Sequence, residues 1–280
     1  MKLPWKRRSK TVTVIEVDTR KLFRLILVTV PAVLVLSFLI WIAFQLLPVK
    51  TCEVVGDTRY DVGELRRAAG VKREDKLYRL DTEKLEEAIL SECLYIREVE
   101  VRRSFPNTLI FSVEERKPTW YLEITGDFYV LDEEMMVIEE TRDEASLIRA
   151  GVTKLCLPNL TEAICGEFPV FGTVSGRSEE ENRREIITTC ELLVMFQRHG
   201  IKKELTALDL ASRFSVSAVF AGSYEIYFGD YRQMETKILL TEEILAKNRD
   251  TYAAGELDVS VISAVGFVPR TNTGEEDESP

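Results

Sequence analysis

Apolar residues are spread unevenly along the chain. One run, residues 25–47 (LILVTVPAVLVLSFLIWIAFQLL), is 23 residues long and carries no ionised side chain. As a helix rising 1.5 Å per residue it would extend roughly 34 Å, enough to cross a hydrocarbon core of about 30 Å. Beyond it the pattern changes to short amphipathic pieces. Residues 50–56 read as a strand. Asp61 and Glu64 have capping-box spacing ahead of a short helix that stops at Gly70. Asp81 opens a second helix with Leu85, Ala88 and Ile89 on one face. Residues 96–103 and 109–113 alternate as strands, and Pro106 and Asn107 mark the turn between them. The predicted order over 50–118 is βααββ.

A second region, 119–269, is richer in strand patterns. Residues 128–131 and 135–138 read as strands around Asp132-Glu133-Glu134, and 142–150 is ambiguous. Ser178 and Glu181 form another capping box, opening a helix to about His199 with Ile186, Cys190, Leu193, Val194 and Phe196 along its buried face. Strand patterns follow at 205–210, 214–220 and 224–228. Asp230 and Gln233 have cap spacing for a helix to about Asn248, and 257–267 reads as one last strand. The final stretch, 270–280, is acidic and poor in apolar residues, the composition of a disordered tail. The predicted class is α+β: an N-terminal transmembrane helix at 25–47, a βααββ domain at 50–118 and a β-rich domain with flanking helices at 119–269.

Charge orients this arrangement. Eight Lys and Arg precede the apolar run, against Glu16 and Asp18, so residues 1–24 carry +6. The whole chain carries −10, which leaves −16 for the remainder. The positive-inside rule places a basic tail in the cytoplasm and an acidic body outside. A cleaved signal peptide is the rival reading. Its apolar core would be shorter, with an A-x-A-like site after it, and residues 45–49 (QLLPV) offer none. The expectation is an uncleaved, single-pass type II anchor. The −16 body argues against nucleic acid as a partner and against tight docking of the body on anionic lipid.

Candidate chemistry is sparse. The single histidine, His199, precedes Gly200 and reads as a helix-end residue rather than a catalytic base. Five cysteines, an odd count, leave at least one unpaired. Cys190 reads as a buried thiol, and Cys156 and Cys165 either close a small loop or stay free. No Cys/His spacing suggests zinc, and neither metal nor cofactor is expected.

Several motifs occur in a particular order: Val54-Val55-Gly56-Asp57; residues 101–109 (VRRSFPNTL); residues 113–118 (VEERKP); residues 226–229 (IYFG); Lys237 with Leu240; residues 255–258 (GELD) leading to 264–269 (AVGFVP). In that order, behind a basic tail and an apolar run, the chain resembles the FtsQ/DivIB family of bacterial cell-division proteins over about 22–269. The resemblance implies that 50–118 is a POTRA domain. It also implies a non-catalytic organiser of septal peptidoglycan synthesis. Such a protein would bind single-pass partners of the FtsB/DivIC and FtsL type and act through them on the septal wall synthase. In the family the partner docks mainly on the last strand of the β domain. Here that gives Asp258, Ser260, Val261, Ile262, Val265 and Phe267 as candidate partner-binding residues, with a partner strand beside 260–262 and Phe267 packed against it. The family often shows Asp-Leu-Arg-Tyr in this strand, where this chain has Asp258-Val259-Ser260-Val261. The glycine usual in the hairpin at 132–137 is also absent.

Two other functions compete with this one. A different membrane-anchored POTRA interaction module would be expected in tandem or ahead of a β-barrel, and neither a repeat nor a series of alternating strands is present. An exported cell-wall hydrolase would need a nucleophile with a base, a metal set or a carboxylate pair.

Overall fold

A computed structural model describes residues 19–46, 48–174 and 176–270. The basic tail expected over 1–24 lies outside these residues up to 18, and the acidic tail does so from 271. Helix α1 runs Thr19–Leu46 with Pro31 inside it. Its described side chains are at 23, 24 and 26–42. Among the described residues, no helix is long and apolar enough to cross a membrane. The apolar run continues past those side chains at its C-terminal end, to Leu47.

The elements that follow form a mixed α and β fold. They begin with β1 (Thr51–Val55), α2 (Val62–Ala68), α3 (Thr82–Glu92), β2 (Ile96–Ser104) and β3 (Thr108–Glu115). This is the predicted βααββ order, and its sheet runs β1-β3-β2. β1 and β3 are parallel, with Val54 opposite Phe111. The capping box forms as its spacing requires. The Glu64 N–H donates to Asp61 Oδ1 at 2.8 Å, and the Asp61 N–H donates to Glu64 Oε2 at 3.0 Å. Leu109 and Phe111 are fully buried, so the period-two pattern marks the inner face correctly.

The second region holds β4 (Trp120–Ile124), β5 (Asp127–Leu131), β6 (Val137–Thr141), α4 (Glu144–Arg149), β7 (Thr153–Cys156), β8 (Leu160–Glu162) and β9 (Val170–Phe171). It continues with α5 (Glu179–Arg198), β10 (Leu205–Asp209), β11 (Val216–Phe220), β12 (Tyr224–Gly229), α6 (Met234–Asn248), β13 (Gly255–Asp258) and β14 (Gly266–Pro269). Nine strands make one mixed sheet in the order β14-β13-β12-β11-β10-β7-β4-β5-β6. The inward residues of β12, Tyr224, Ile226 and Phe228, share one core with Leu192, Leu193 and Phe196 of α5 and Ile238 and Leu245 of α6. Phe196 meets Phe228 edge-on, with centroids 5.4 Å apart. Burying each such ring contributes about 1.5–3 kcal/mol before side-chain entropy is subtracted. Glu225 and Tyr227 alternate to the opposite face.

By compactness the chain divides into residues 1–55, 60–86 and 100–112 as one unit and 56–59, 87–99 and 113–280 as another. The expected boundary at 118 falls inside the second unit.

Three local expectations are corrected. The last strand is not continuous over 257–267 but breaks into β13, a 3₁₀ turn at Ile262–Ala264, and β14. Asp230 does not cap α6. Its carboxylate is taken by Arg232 Nε at 2.7 Å and Lys237 Nζ at 3.1 Å, and Gln233, in the left-handed region at φ 54°, precedes the helix without a side-chain bond. Cys190 is exposed on α5, because its position lies at the margin of the apolar stripe. Cys156 and Cys165 are both free. In the 132–137 hairpin Met135 takes the left-handed position, at φ 71°, that glycine would otherwise fill. Asp132 supports the turn by accepting from the Glu134 and Met136 N–H groups, at 2.9 and 2.8 Å.

Candidate partner-docking edge

β14 is the end strand of the nine-stranded sheet and pairs antiparallel with β13. The Arg270 N–H donates to the Ala254 carbonyl at 3.0 Å, which fixes the phase of the ladder. Counting back by two, positions 268 and 266 also direct their backbone groups at β13. Phe267, opposite Leu257, and Pro269, opposite Gly255, occupy the alternate positions. Proline has no N–H to lose there. The Phe267 N–H and C=O therefore point away from the sheet, along its free edge.

Side chains hold this strand in place. Phe267 is half-buried against the main core, beside Tyr252 with centroids 5.8 Å apart. Val268 is 63% exposed on the other face. Arg270 bonds Glu225 at 2.9 and 3.1 Å and Glu256 at 2.6 and 3.1 Å, tying the end of β14 across β13 to β12. Glu256 first, then Glu225, raise the Arg270 pKa above its ordinary value.

The opposite edge, β6, is different. The Val137 N–H donates to Glu167 O at 3.0 Å, and the Gly166 N–H donates back to Val137 O at 2.8 Å. Glu139 and Glu140 then place charge on the strand, a feature that discourages pairing.

The six predicted docking residues are not brought together on one strand. Asp258 ends β13, and its Oδ1 accepts from the Ser260 N–H at 2.8 Å, bending the chain out of the sheet. Ser260 sits on Gly229, where a Cβ would lie 2.8 Å from the Ser260 Cβ. Val261 is 54% exposed, and Ile262 starts the 3₁₀ turn. Val265 packs against the core, and Phe267 alone of the six lies in β14. A partner strand beside 260–262 would face a turn. The outer strand of the sheet lies further on, at 266–269. Val268 and Pro269 lie in this outer strand and Arg270 follows it, outside the six residues expected from the sequence. The Asp258-x-Ser260 spacing, Ser263 and Gly266 are the turn signals that could have revealed the break.

Among the described residues no group of three or more His, Cys, Asp or Glu could hold a metal. His199 is the residue at which α5 ends.

Residues 47–116 match the family profile "POTRA domain, FtsQ-type". A cell division protein FtsQ from Streptomyces bingchenggensis is 33% identical over 114 residues, covering 40% of this chain and 43% of that protein. A cell division protein FtsQ from Corynebacterium glutamicum is 22% identical over 79% of this chain and 88% of its own length. A cell division protein DivIB from Clostridium tetani is 23% identical over 82% of each. The alignment thus takes in less than half of the Streptomyces protein and more than four fifths of the other two. The βααββ order, the strand-rich second region and these matches agree: residues 47–116 are similar to the FtsQ-type POTRA domain, and the chain as a whole is similar to the cell-division proteins FtsQ and DivIB.

Proposed function

We propose that this chain is a non-catalytic scaffold of the division apparatus that captures a strand of a single-pass partner, of the FtsB/DivIC or FtsL type, on β14. Through that partner it helps control septal peptidoglycan synthesis. The observation that carries this reading is the free edge of β14, with the Phe267 N–H and C=O directed outward in the phase fixed by Arg270. Backbone pairing depends little on side-chain identity, so it tolerates the absence of Arg and Tyr at 260 and 261. The same reading takes 50–118 as the anchor-proximal domain and 119–269 as the docking domain.

The chain is read as N-in and C-out, held by 25–47. Support comes from the +6 tail. It also comes from α1, where Leu27, Val28, Val33 and Leu34 are 60–67% exposed. A helix apolar on all sides suits lipid. A reporter fused after Pro280 should be active outside the cytoplasm, and a mature N-terminus near Thr51 would overturn the anchor.

The docking reading is tested by co-purifying the full-length chain with the FtsB/DivIC- and FtsL-type proteins of its own host. Val268→Lys places a charge on the exposed side of β14 without touching the core and should weaken capture at least severalfold. Unchanged capture by a folded Val268→Lys chain sinks the β14 reading. Release of soluble fragments from peptidoglycan by the purified chain would instead reveal an enzyme.

A further inference from the structure

The body as a whole is acidic, yet the segment that follows the apolar run is not. Residues 48–80 hold eight Lys and Arg against six Asp and Glu. The fold gathers most of these bases. α2 ends in a reversal around Gly70, at φ 67°, with the Gly70 N–H on Arg67 O at 2.9 Å and the Val71 N–H on Arg66 O at 3.1 Å. That turn brings Lys72 and Arg73 beside Arg66 and Arg67 around a shallow depression of about 740 Å³. Arg67, Lys72, Arg73 and Arg79 are exposed, and among the described residues no salt bridge involves any of them. Three of the neighbouring acids are occupied, while a fourth, the exposed Glu74, lines the same depression. Asp61 and Glu64 hold backbone amides in the α2 capping box, and Asp75 Oδ2 accepts from the Lys72 N–H at 2.7 Å.

This basic face is stitched to the end of α1. The Val49 N–H donates to Asp75 O at 2.9 Å, and Pro48 pairs with Lys76. Pro48 is two residues beyond Leu46, the last residue of α1, so roughly 7–8 Å of chain separates them. That is about one Debye length at physiological ionic strength.

We propose that Arg67, Lys72, Arg73 and Arg79 dock on the phosphates of anionic lipid headgroups in the leaflet where α1 ends, holding the first domain against the membrane. The proposal rests on the reading of 25–47 as an anchor. Charge complementarity selects the lipid. This face is basic although the body as a whole is acidic, so the attraction to anionic lipid is local to it.

The test uses the full-length chain in nanodiscs of phosphatidylcholine alone and of phosphatidylcholine mixed with phosphatidylglycerol, read by deuterium exchange of the backbone amides. Exchange across 66–79 should be severalfold slower in the anionic discs, the difference should shrink in high salt, and β14 should exchange equally in both. The Arg67→Gln/Lys72→Gln/Arg73→Gln/Arg79→Gln chain should lose the difference, and the variant with the three arginines changed to lysine should keep it. Equal exchange across 66–79 in both discs, from chain that has entered them, overturns the proposal and leaves the anchor reading standing. Failure to enter either disc overturns the anchor, and the proposal with it. Inorganic phosphate reproducing the protection in neutral discs would identify a free-anion site and overturn the lipid assignment.

Discussion

The Phe267 ring lies against the backbone of Gly255: a Cβ added at 255 would stand 2.7 Å from Cε2 and Cζ of that ring. Two residues on neighbouring strands are thus fitted to each other, the glycine giving up a side chain so that the ring can cover it. Gly255→Ala should push the ring off its seat and destabilise the fold by about 1–3 kcal/mol. Phe267→Ala should cost about 2 kcal/mol, less than a fully buried phenylalanine, because the ring is half-exposed. Combined, the two changes should cost less than their sum, since the clash disappears with the ring. Chemical denaturation of the four proteins measures the coupling. Strict additivity would show that the contact does not hold β14.

Lys202 reports on pH. Its Nζ donates to Thr153 Oγ1 at 2.8 Å and stands 3.9 Å from the Trp120 ring centre, and among the described residues no carboxylate bonds to it. Burial pushes its pKa down to about 8, and the ring face resists that shift. An unfolded lysine titrates near 10.4, so between about pH 8 and 10 the unfolded chain holds more protons than the folded one. Lys202 therefore adds stability as pH rises through that window. Tyr95 and Tyr121, both raised to about 12, act in the opposite sense in alkali, so the comparison must be made against a variant. The stability gap between wild type and Lys202→Met should change between pH 7 and pH 9.5 in favour of wild type. A gap constant with pH would refute the shift.

The β11–β12 hairpin turns through Ala221 and Gly222 at φ 48° and 69°. Both residues are left-handed, the pattern for which Asn-Gly is the favoured pair. Ala221 is exposed, and its side chain contributes little else. Ala221→Asn should stabilise the domain by about 0.5–1 kcal/mol, visible as a higher thermal midpoint, because asparagine tolerates this region better than alanine. A lower midpoint would show that the turn is not as described.

Cysteine accessibility gives a direct check on the fold. Cys156, Cys165 and Cys190 are exposed, Cys52 is half-buried and Cys93 is buried. Burial of part of each site raises the Cys156, Cys165 and Cys190 thiols above their ordinary pKa, so alkylation at neutral pH should be slow but complete at these three. Cys93 should react only after unfolding. Mass spectrometry before and after denaturant reads both. Modification of Cys93 in native protein would contradict its burial at the end of α3.

Much of this architecture is legible because local rules and tertiary packing agree. Asp61 and Ser178 announce their helices by spacing alone, and Leu109, Phe111, Ile226 and Phe228 announce an inner face by alternation. Where the sequence misleads, a long-range partner has overridden a local signal. Asp230 has the spacing of a cap, but Lys237, reaching back from one turn into α6, claims its carboxylate along with the Phe228 and Asp230 carbonyls. Nothing in the pattern marks a lysine that is 2% exposed. The break after Asp258 was hidden because Val259, Val261, Val265 and Phe267 keep a period of two straight through a turn. The phase of β14 is invisible in one dimension: it depends on which residues of β13 lie opposite, and only the paired strands reveal that.

The two ends of the sheet differ, and this sets a limit on assembly. A sheet open at both ends can join copies head to tail without end. Here the β6 end is occupied at Val137 and charged beyond it, while no described residue pairs with the outer side of β14. Such a sheet has a valence of one for strand addition: it terminates a chain of pairing rather than relaying it. Any larger array built around it must grow through the partner's other surfaces.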